Sequence, residues 1–232
     1  MTETVNTIHI VQKDIELEKY VKATRQAVNL YIKIFSDPPY YEHFEFTDIE
    51  KEFYQYINNG CFILATINDE TVGFMCSSTG LDHINREIEN EMQLNGINYN
   101  SDIYISELGV SGEHRGKGIA KKLINSFMKI NVGKNMFLRT GVHNNDHVIK
   151  LYEKYGFKQT NIFENVMSKR INGQLDWDER FYMIKIQQLS FFGSSNDGYN
   201  SGSEYLYGRD DSDPNNDDKD DGYRSGSEYM YG

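Results

Sequence analysis

A mixed α/β sheet flanked by helices is the fold class that this sequence predicts for residues 1 to about 189. Three observations carry that expectation. The spacing of apolar residues switches repeatedly between the two-residue period of strands and the 3.6-residue period of helices. The segments marked in this way follow the order β-α-α-β-β-β-α-β-α-β-β, interrupted by one charged insert. With 38% apolar and 13% aromatic residues, the chain can bury a sizeable core.

Thr4 to Lys13 (T-V-N-T-I-H-I-V-Q-K) reads as a strand with Ile8 and Ile10 on one face. From Asp14 to Phe35, Leu17, Tyr20, Val21, Ala27, Val28, Tyr31 and Ile32 recur at helical spacing. S-D-P-P-Y ends that helix, because proline lacks the amide donor and crowds the preceding turn. Thr47 as N-cap with Glu50 three residues on predicts a capping box opening a second helix, which N-N-G closes. C-F-I-L-A-T-I and T-V-G-F-M-C-S-S, joined by N-D-E, predict an antiparallel hairpin. Leu81 to Asn100 is the charged insert, expected to hold a helix and a loop. After it come a strand at residues 102 to 110, a helix from Gly118 to Ile130, the strand M-F-L-R-T-G-V, and a helix from Asp146 to Tyr155 closed by Gly156. Two strands, Phe157 to Lys169 and Phe181 to Gln187, finish the domain.

The richest local signal is E-H-R-G-K-G-I-A, Glu113 to Ala120, set between a strand and a helix. A Walker-type loop is excluded, because the residue five before Gly116 is Ser111 and Lys117 is followed by Gly118. A dinucleotide fingerprint fits poorly, since its third glycine position is Lys121. What such turns share still applies: glycines let backbone amides approach a pyrophosphate at a helix N-terminus, and nearby cations add attraction. The plain alternative is a solvated basic turn at the start of a helix.

L-G-V, four further positions and then R-G-K-G-I-A resembles the acetyl-CoA-binding motif [QR]-x-x-G-x-[GA] of the GNAT superfamily of N-acetyltransferases, with Arg115, Gly118 and Ala120 on its fixed positions. Asn145 to Phe157 (N-D-H-V-I-K-L-Y-E-K-Y-G-F) is similar to a second signature of that family, N-x-x-A-x-x-L-Y-E-x-x-G-F, with Val148 in place of alanine. The resemblance spans about residues 5 to 188, leaving out the insert. It implies a GNAT-like mixed, mainly antiparallel sheet flanked by helices and the transfer of an acyl group, chiefly acetyl, from acetyl-CoA to an amine.

Residue by residue, it implies that Leu108 and Val110 present backbone groups to the pantetheine arm. Backbone amides of Arg115, Gly116, Lys117, Gly118, Ile119 and Ala120 then cradle the pyrophosphate, and Asn145 contacts the cofactor or caps the following helix. An amine with a pKa near 10.4 is nucleophilic in roughly one molecule per thousand or fewer at neutral pH, so a positioned base is needed. Glu107 is the candidate base, acting through a water, with a merely solvated acid as the alternative. Tyr152 is the candidate acid facing the sulfur, with an aromatic filling the helix-to-sheet seam as the alternative. His114, His143 and His147 could titrate usefully, but none has metal-ligand context, and no metal is assigned. The resemblance places the acceptor wall at F-S-D-P-P-Y-Y-E-H-F-E-F, where Tyr40, Tyr41, Glu42 and Glu45 would suit a cationic small-molecule or peptide amine. Ordinary packing of these aromatics is the alternative.

Composition bounds the partners. The net charge of −11 argues against a nucleic-acid partner, which requires a basic surface. The opening residues lack a basic n-region followed by an apolar stretch, and no window approaches 18 apolar residues, so a cytoplasmic location without a membrane partner is expected. Cys61 and Cys76 lie in apolar runs and read as buried thiols in a reducing compartment, a strand-to-strand disulfide being the alternative. Oligomeric state stays open, a homodimer included.

Residues 190–232 form a separate acidic tail, rich in Tyr, Gly and Ser, that holds −7 of the net charge and is expected to be disordered. D-G-Y-N-S-G-S-E-Y-L-Y-G (197–208) recurs as D-G-Y-R-S-G-S-E-Y-M-Y-G (221–232), a 24-residue period with two differences. An EF-hand loop from Asp217 to Glu228 is a poor match, because Lys219 occupies a ligand position. Leu206-Tyr207-Gly208 and Met230-Tyr231-Gly232 resemble the X-Tyr-Gly motifs on which radical-SAM spliceases act. That resemblance implies a second function class, a GNAT-fold carrier whose tail is the substrate of a peptide-modifying enzyme. A tail that only aids solubility is a third reading.

Overall fold

The computed structural model describes residues 5–10, 17–80, 85–142 and 146–187. Asn145, His143 and the whole of the repeated tail lie outside the described residues. The chain runs β1 (Asn6–Ile10), α1 (Leu17–Ser36), α2 (Phe46–Asn59), β2 (Gly60–Ile67), β3 (Glu70–Thr79), α3 (Arg86–Leu94), β4 (Ile103–Val110), α4 (Ile119–Ile130), β5 (Met136–Gly141), α5 (Asp146–Glu153), β6 (Lys158–Lys169) and β7 (Leu175–Lys185). These strands form one seven-stranded sheet in the order β1-β2-β3-β4-β5-β7-β6. Neighbours are antiparallel except β4 and β5, which run parallel, as the connection through α4 requires. The fold class is therefore the mixed, mainly antiparallel sheet that the periodicity and the motifs imply.

Three apolar clusters hold the layers together. On one face, Ile119, Leu123, Ile124 and Phe127 of α4, with Tyr152 of α5, pack on Ile63, Met75, Ile105 and Leu138. On the other, Ala27, Val28, Tyr31 and Ile34 of α1 join Ile49, Phe53 and Ile57 of α2 over Phe62, Leu64, Phe74 and Cys76. The insert supplies the third, with Ile88 and Met92 of α3 and Ile97 packed on Tyr104, Phe137, Ile162 and Tyr182. Its charged residues obscure an apolar face that covers the β4–β6 half of the sheet.

Cys61 and Cys76 are buried thiols, as their apolar runs imply; they belong to clusters on opposite faces, and no disulfide joins them. The structure corrects two sequence expectations. The capping box does not form. Phe46 packs against the α1–α2 cluster and draws the helix start back, making Glu45 the N-cap, with no side-chain cap, and placing Thr47 inside the helix. The last strand begins at Leu175 rather than Phe181, because residues 175–180 pair along the length of β6 in a long hairpin.

Two irregularities of β4 prepare the site. Cys76 pairs with Glu107 while Ser77 pairs with Ile105, which leaves Ser106 as a bulge. In a regular strand side chains alternate, so Ile105 and Glu107 would share a face. The bulge shifts the parity. Ile105 and Leu108 both pack under α4, and Glu107 turns with its partner Cys76 toward α1 and α2. The second irregularity is a parting of strands: β4 and β5 pair only from Ile103–Met136 to Ile105–Leu138.

Candidate active site

Beyond Ile105 and Leu138 the inner edges of β4 and β5 face one another across a cleft of about 630 Å³. Ser106 to Val110 line one side and Arg139 to Gly141 the other. Gly109 is required where it stands, because a Cβ there would lie 2.4 Å from the Phe74 ring. One end of the cleft is closed by the turn before α4. Gly116 and Gly118 adopt φ of 76° and 79°, and a Cβ on either would meet nothing within 4 Å, so these glycines answer to backbone conformation rather than crowding. Gly118 is the N-cap of α4 and offers no side-chain cap, leaving the first amides of the helix open toward the cleft. Arg115 Nε lies 3.4 Å from the Val110 carbonyl, tying the turn to the end of β4. Among the described residues Ser106 Oγ and His114 Nδ1 are buried without hydrogen-bond partners, and both residues line the cleft.

The other end is built from side chains of several elements. Glu107 is half-buried and has neither a hydrogen bond nor an ion pair among the described residues. Burial and the neighbouring Glu52 and Glu42 carboxylates push its carboxyl up to about 8, against the pull of Arg180 and Arg139. Those two arginines are engaged elsewhere. Arg139 Nη1 donates to Glu164 Oε2 at 2.6 Å, and the Tyr182 hydroxyl donates to the same oxygen at 2.7 Å. Arg180 Nη2 donates to Glu42 Oε1 at 3.2 Å, and its Nε is buried without a partner among the described residues. Tyr152 is 4% exposed, edge-on to Phe157, and lines the cleft. Burial, with Glu107 nearby, raises its hydroxyl well above the usual tyrosine range.

Of the residues singled out in the sequence, Glu107, Leu108, Val110, Arg115, Gly116, Gly118, Ile119, Ala120 and Tyr152 line this single cleft. Lys117 is exposed and is not part of the lining. The segment between α1 and α2 divides. Tyr40 and Glu42 face the cleft, whereas Tyr41 is 47% exposed and Glu45 pairs with His43 at 3.0 Å. Glu42 does not act as a free anion there, since Arg180 holds it and Arg170 lies 4.0 Å away.

A family model described as the acetyltransferase (GNAT) family matches residues 25–157, more than half of the chain. This chain belongs to the GNAT family. The match contains the bulged strand, the glycine turn and Tyr152, and it stops short of Arg180. No curated protein matches the chain. Solved structures share the fold of this GNAT domain at low identity. A Pyrococcus horikoshii OT3 protein, PH1933, is 19% identical with a TM-score of 0.52, over 80% of this chain and 100% of that one. Arabidopsis thaliana NAA60 in complex with a bisubstrate analogue is 20% identical with a TM-score of 0.52, over 80% and 100%; it has also been solved with acetyl-CoA. A histone acetyltransferase HPA2 and related acetyltransferase from Corynebacterium glutamicum is 16% identical with a TM-score of 0.53, over 82% and 99%.

Proposed function

We propose that this protein transfers an acetyl group from acetyl-CoA to a primary amine, with Glu107 as base and Tyr152 as acid. The observation that carries the reading is the parted β4–β5 edge, which brings an open helix N-terminus, free strand backbone and an unpaired carboxyl into one cleft. The cleft fits the cofactor's chemistry at both ends: amides at the start of α4 suit a pyrophosphate, and the free edge at Leu108 to Val110 suits the amide groups of a pantetheine arm. The orphaned Ser106 Oγ and His114 Nδ1 are further polar atoms available to such a molecule.

Bound acetyl-CoA supplies the activated acyl group as a thioester. Glu107, in its ionised form, takes a proton from the incoming ammonium, directly or through a water, and frees the nitrogen lone pair. Because its carboxyl is held up to about 8, its conjugate acid is matched to an amine far better than an ordinary glutamate is. The Tyr152 hydroxyl stays protonated across the physiological range and can donate to the departing sulfur as negative charge builds there. Family membership and the acetyl-CoA complex of NAA60 support the choice of donor.

Calorimetric titration with acetyl-CoA, followed by mass spectrometry of small amines and free-N-terminus peptides incubated with both, tests the reading. Micromolar binding and a product heavier by one acetyl group are expected. A protein that binds no acetyl-CoA would rule it out.

A further inference from the structure

Glu107 is the unpaired acid of a densely charged neighbourhood. The titratable and charged groups acting on it come from every surrounding element: Tyr31 of α1, Tyr40 and Glu42 of the α1–α2 segment, Glu52 and Tyr56 of α2, Cys76 of β3, Tyr104 of β4, Arg139 of β5, Tyr152 of α5 and Arg180 of β7. The two cations in this set lie in strands beside the cleft, where each could compensate Glu107. Neither makes an ion pair with it.

The reason is visible in the pairing. On β6 and β7, Glu164 and Arg180 are ladder partners, as are Arg139 and Tyr182 on β5 and β7, so all four side chains share one face of the sheet. Glu164 accepts from Arg139 and Tyr182 together, which fixes the guanidinium over the sheet and away from β4. Glu42 is 7% exposed and is fastened by its own backbone: its amide donates to the Phe35 carbonyl at 2.7 Å, and it bridges Arg170 on the hairpin. From that anchored position it holds Arg180.

We propose that Glu42 and Glu164 are positioning residues for Glu107: by occupying Arg180 and Arg139 they deny it an ion-pair partner and keep it a base. The role of Glu107 in this statement rests on the acetyl-transfer reading above, but the electrostatic relation does not. Removing Glu164 frees Arg139 of its ion pair, and removing Glu42 leaves Arg180 only Asp178, 3.9 Å away; an opposite charge that settles at 4–6 Å typically lowers a carboxyl pKa by about 1–3 units. Glu42 also repels Glu107 directly, so its removal lowers the midpoint on either account, whereas a purely structural role for Glu164 would leave the titration of Glu107 where it is.

The test is an infrared titration of the protein without ligands, from about pH 5 to about pH 10. The Glu107 carboxyl band is isolated as the difference between each background with Glu107 and the same background carrying Glu107→Gln. Glu42→Gln is expected to lower the midpoint by about one unit or more, and Glu164→Gln to lower it in the same direction. Arg180→Gln should raise it. Asp176→Asn, at an exposed acid 3.3 Å from Arg170, should leave it unchanged. A midpoint that stays put or rises in Glu164→Gln overturns the proposal. If that variant does not fold, Glu42→Gln decides in the Arg180→Gln background: a drop as large there, where no arginine is released, overturns it. Since neither acetyl-CoA nor an acceptor is present, this outcome is separable from that of the binding experiment.

Discussion

The two ends of the cleft are built on different principles. The α4 end is backbone: two glycines in the left-handed region and a helix N-terminus without a side-chain cap. The opposite end is side chain: Glu107, Glu42, Arg139 and Arg180 arrive from separate elements, with Arg180 held by Glu42, Arg139 held by Glu164, and Glu107 left unpaired among the described residues. A backbone site is specified within a few consecutive residues and is insensitive to most side-chain changes nearby. A side-chain site is specified by register and long-range pairing, and each member matters through its neighbours.

The largest expected effect tests the backbone end. Gly118→Asp places a side chain at φ of 79° and a negative charge at the turn proposed to bind the pyrophosphate. Space around the Cβ is open, so the fold should survive with modest strain. Acetyl-CoA affinity should fall by about 100-fold or more, because the new carboxylate both repels the pyrophosphate and occupies its approach to the backbone amides. Lys117→Ala, which keeps the amide and removes one exposed cation, should cost less than about tenfold. If calorimetry showed the lysine to be the more damaging loss, the backbone account of this end would be wrong.

At the side-chain end the expected pattern inverts. Glu107→Gln should lower turnover by about 10²–10³-fold with acetyl-CoA affinity nearly unchanged, since general-base catalysis is commonly worth that much. Tyr152→Phe should lower turnover by about 10²-fold while keeping the ring's packing against Phe157. Equal losses of affinity and turnover in either variant would erase the distinction between the two ends.

The same distinction decides what could be read beforehand. R-G-K-G-I-A is contiguous, so the turn, the helix and the strand that precedes them were all legible, and periodicity alone placed most elements. Glu107 was reached only through family resemblance. Its facing depends on a bulge at Ser106 that nothing in I-S-E-L-G-V announces, because the bulge is fixed by how β3 pairs with it. Arg180 escaped notice because L-D-W-D-E-R reads as a charged loop before an apolar strand, whereas pairing with β6 extends β7 through it. Tyr41 and Glu45 were grouped with Tyr40 and Glu42 by proximity in sequence. The backbone of the α1–α2 segment separates them, and Tyr41 has φ of 53°.

The smallest effect expected is on stability, and it asks whether the side-chain end weakens the fold that carries it. Glu107 is protonated in the folded state up to about pH 8, whereas in the unfolded chain it ionises near its ordinary value of 4.5. A carboxyl raised in this way contributes its full stability only below the unfolded value and loses it as pH climbs toward the folded one. Between these limits the unfolded chain gains about 1.4 kcal/mol per pH unit relative to the fold, and above about pH 8 the loss is complete. Partial access of Glu107 to the cleft reduces that figure, leaving an effect on the order of 1–3 kcal/mol. Glu107→Gln removes the titration while keeping the shape. Its melting temperature should match that of the wild type near pH 4.5, exceed it by several degrees at pH 8, and hold that margin at higher pH. Gly118→Asp should show no such pH-dependent margin, because the turn holds no buried acid of its own. A melting difference for Glu107→Gln that is flat from pH 4.5 to 8 would mean that the carboxyl ionises freely in the fold, and that the side-chain end lacks the raised base on which its chemistry depends.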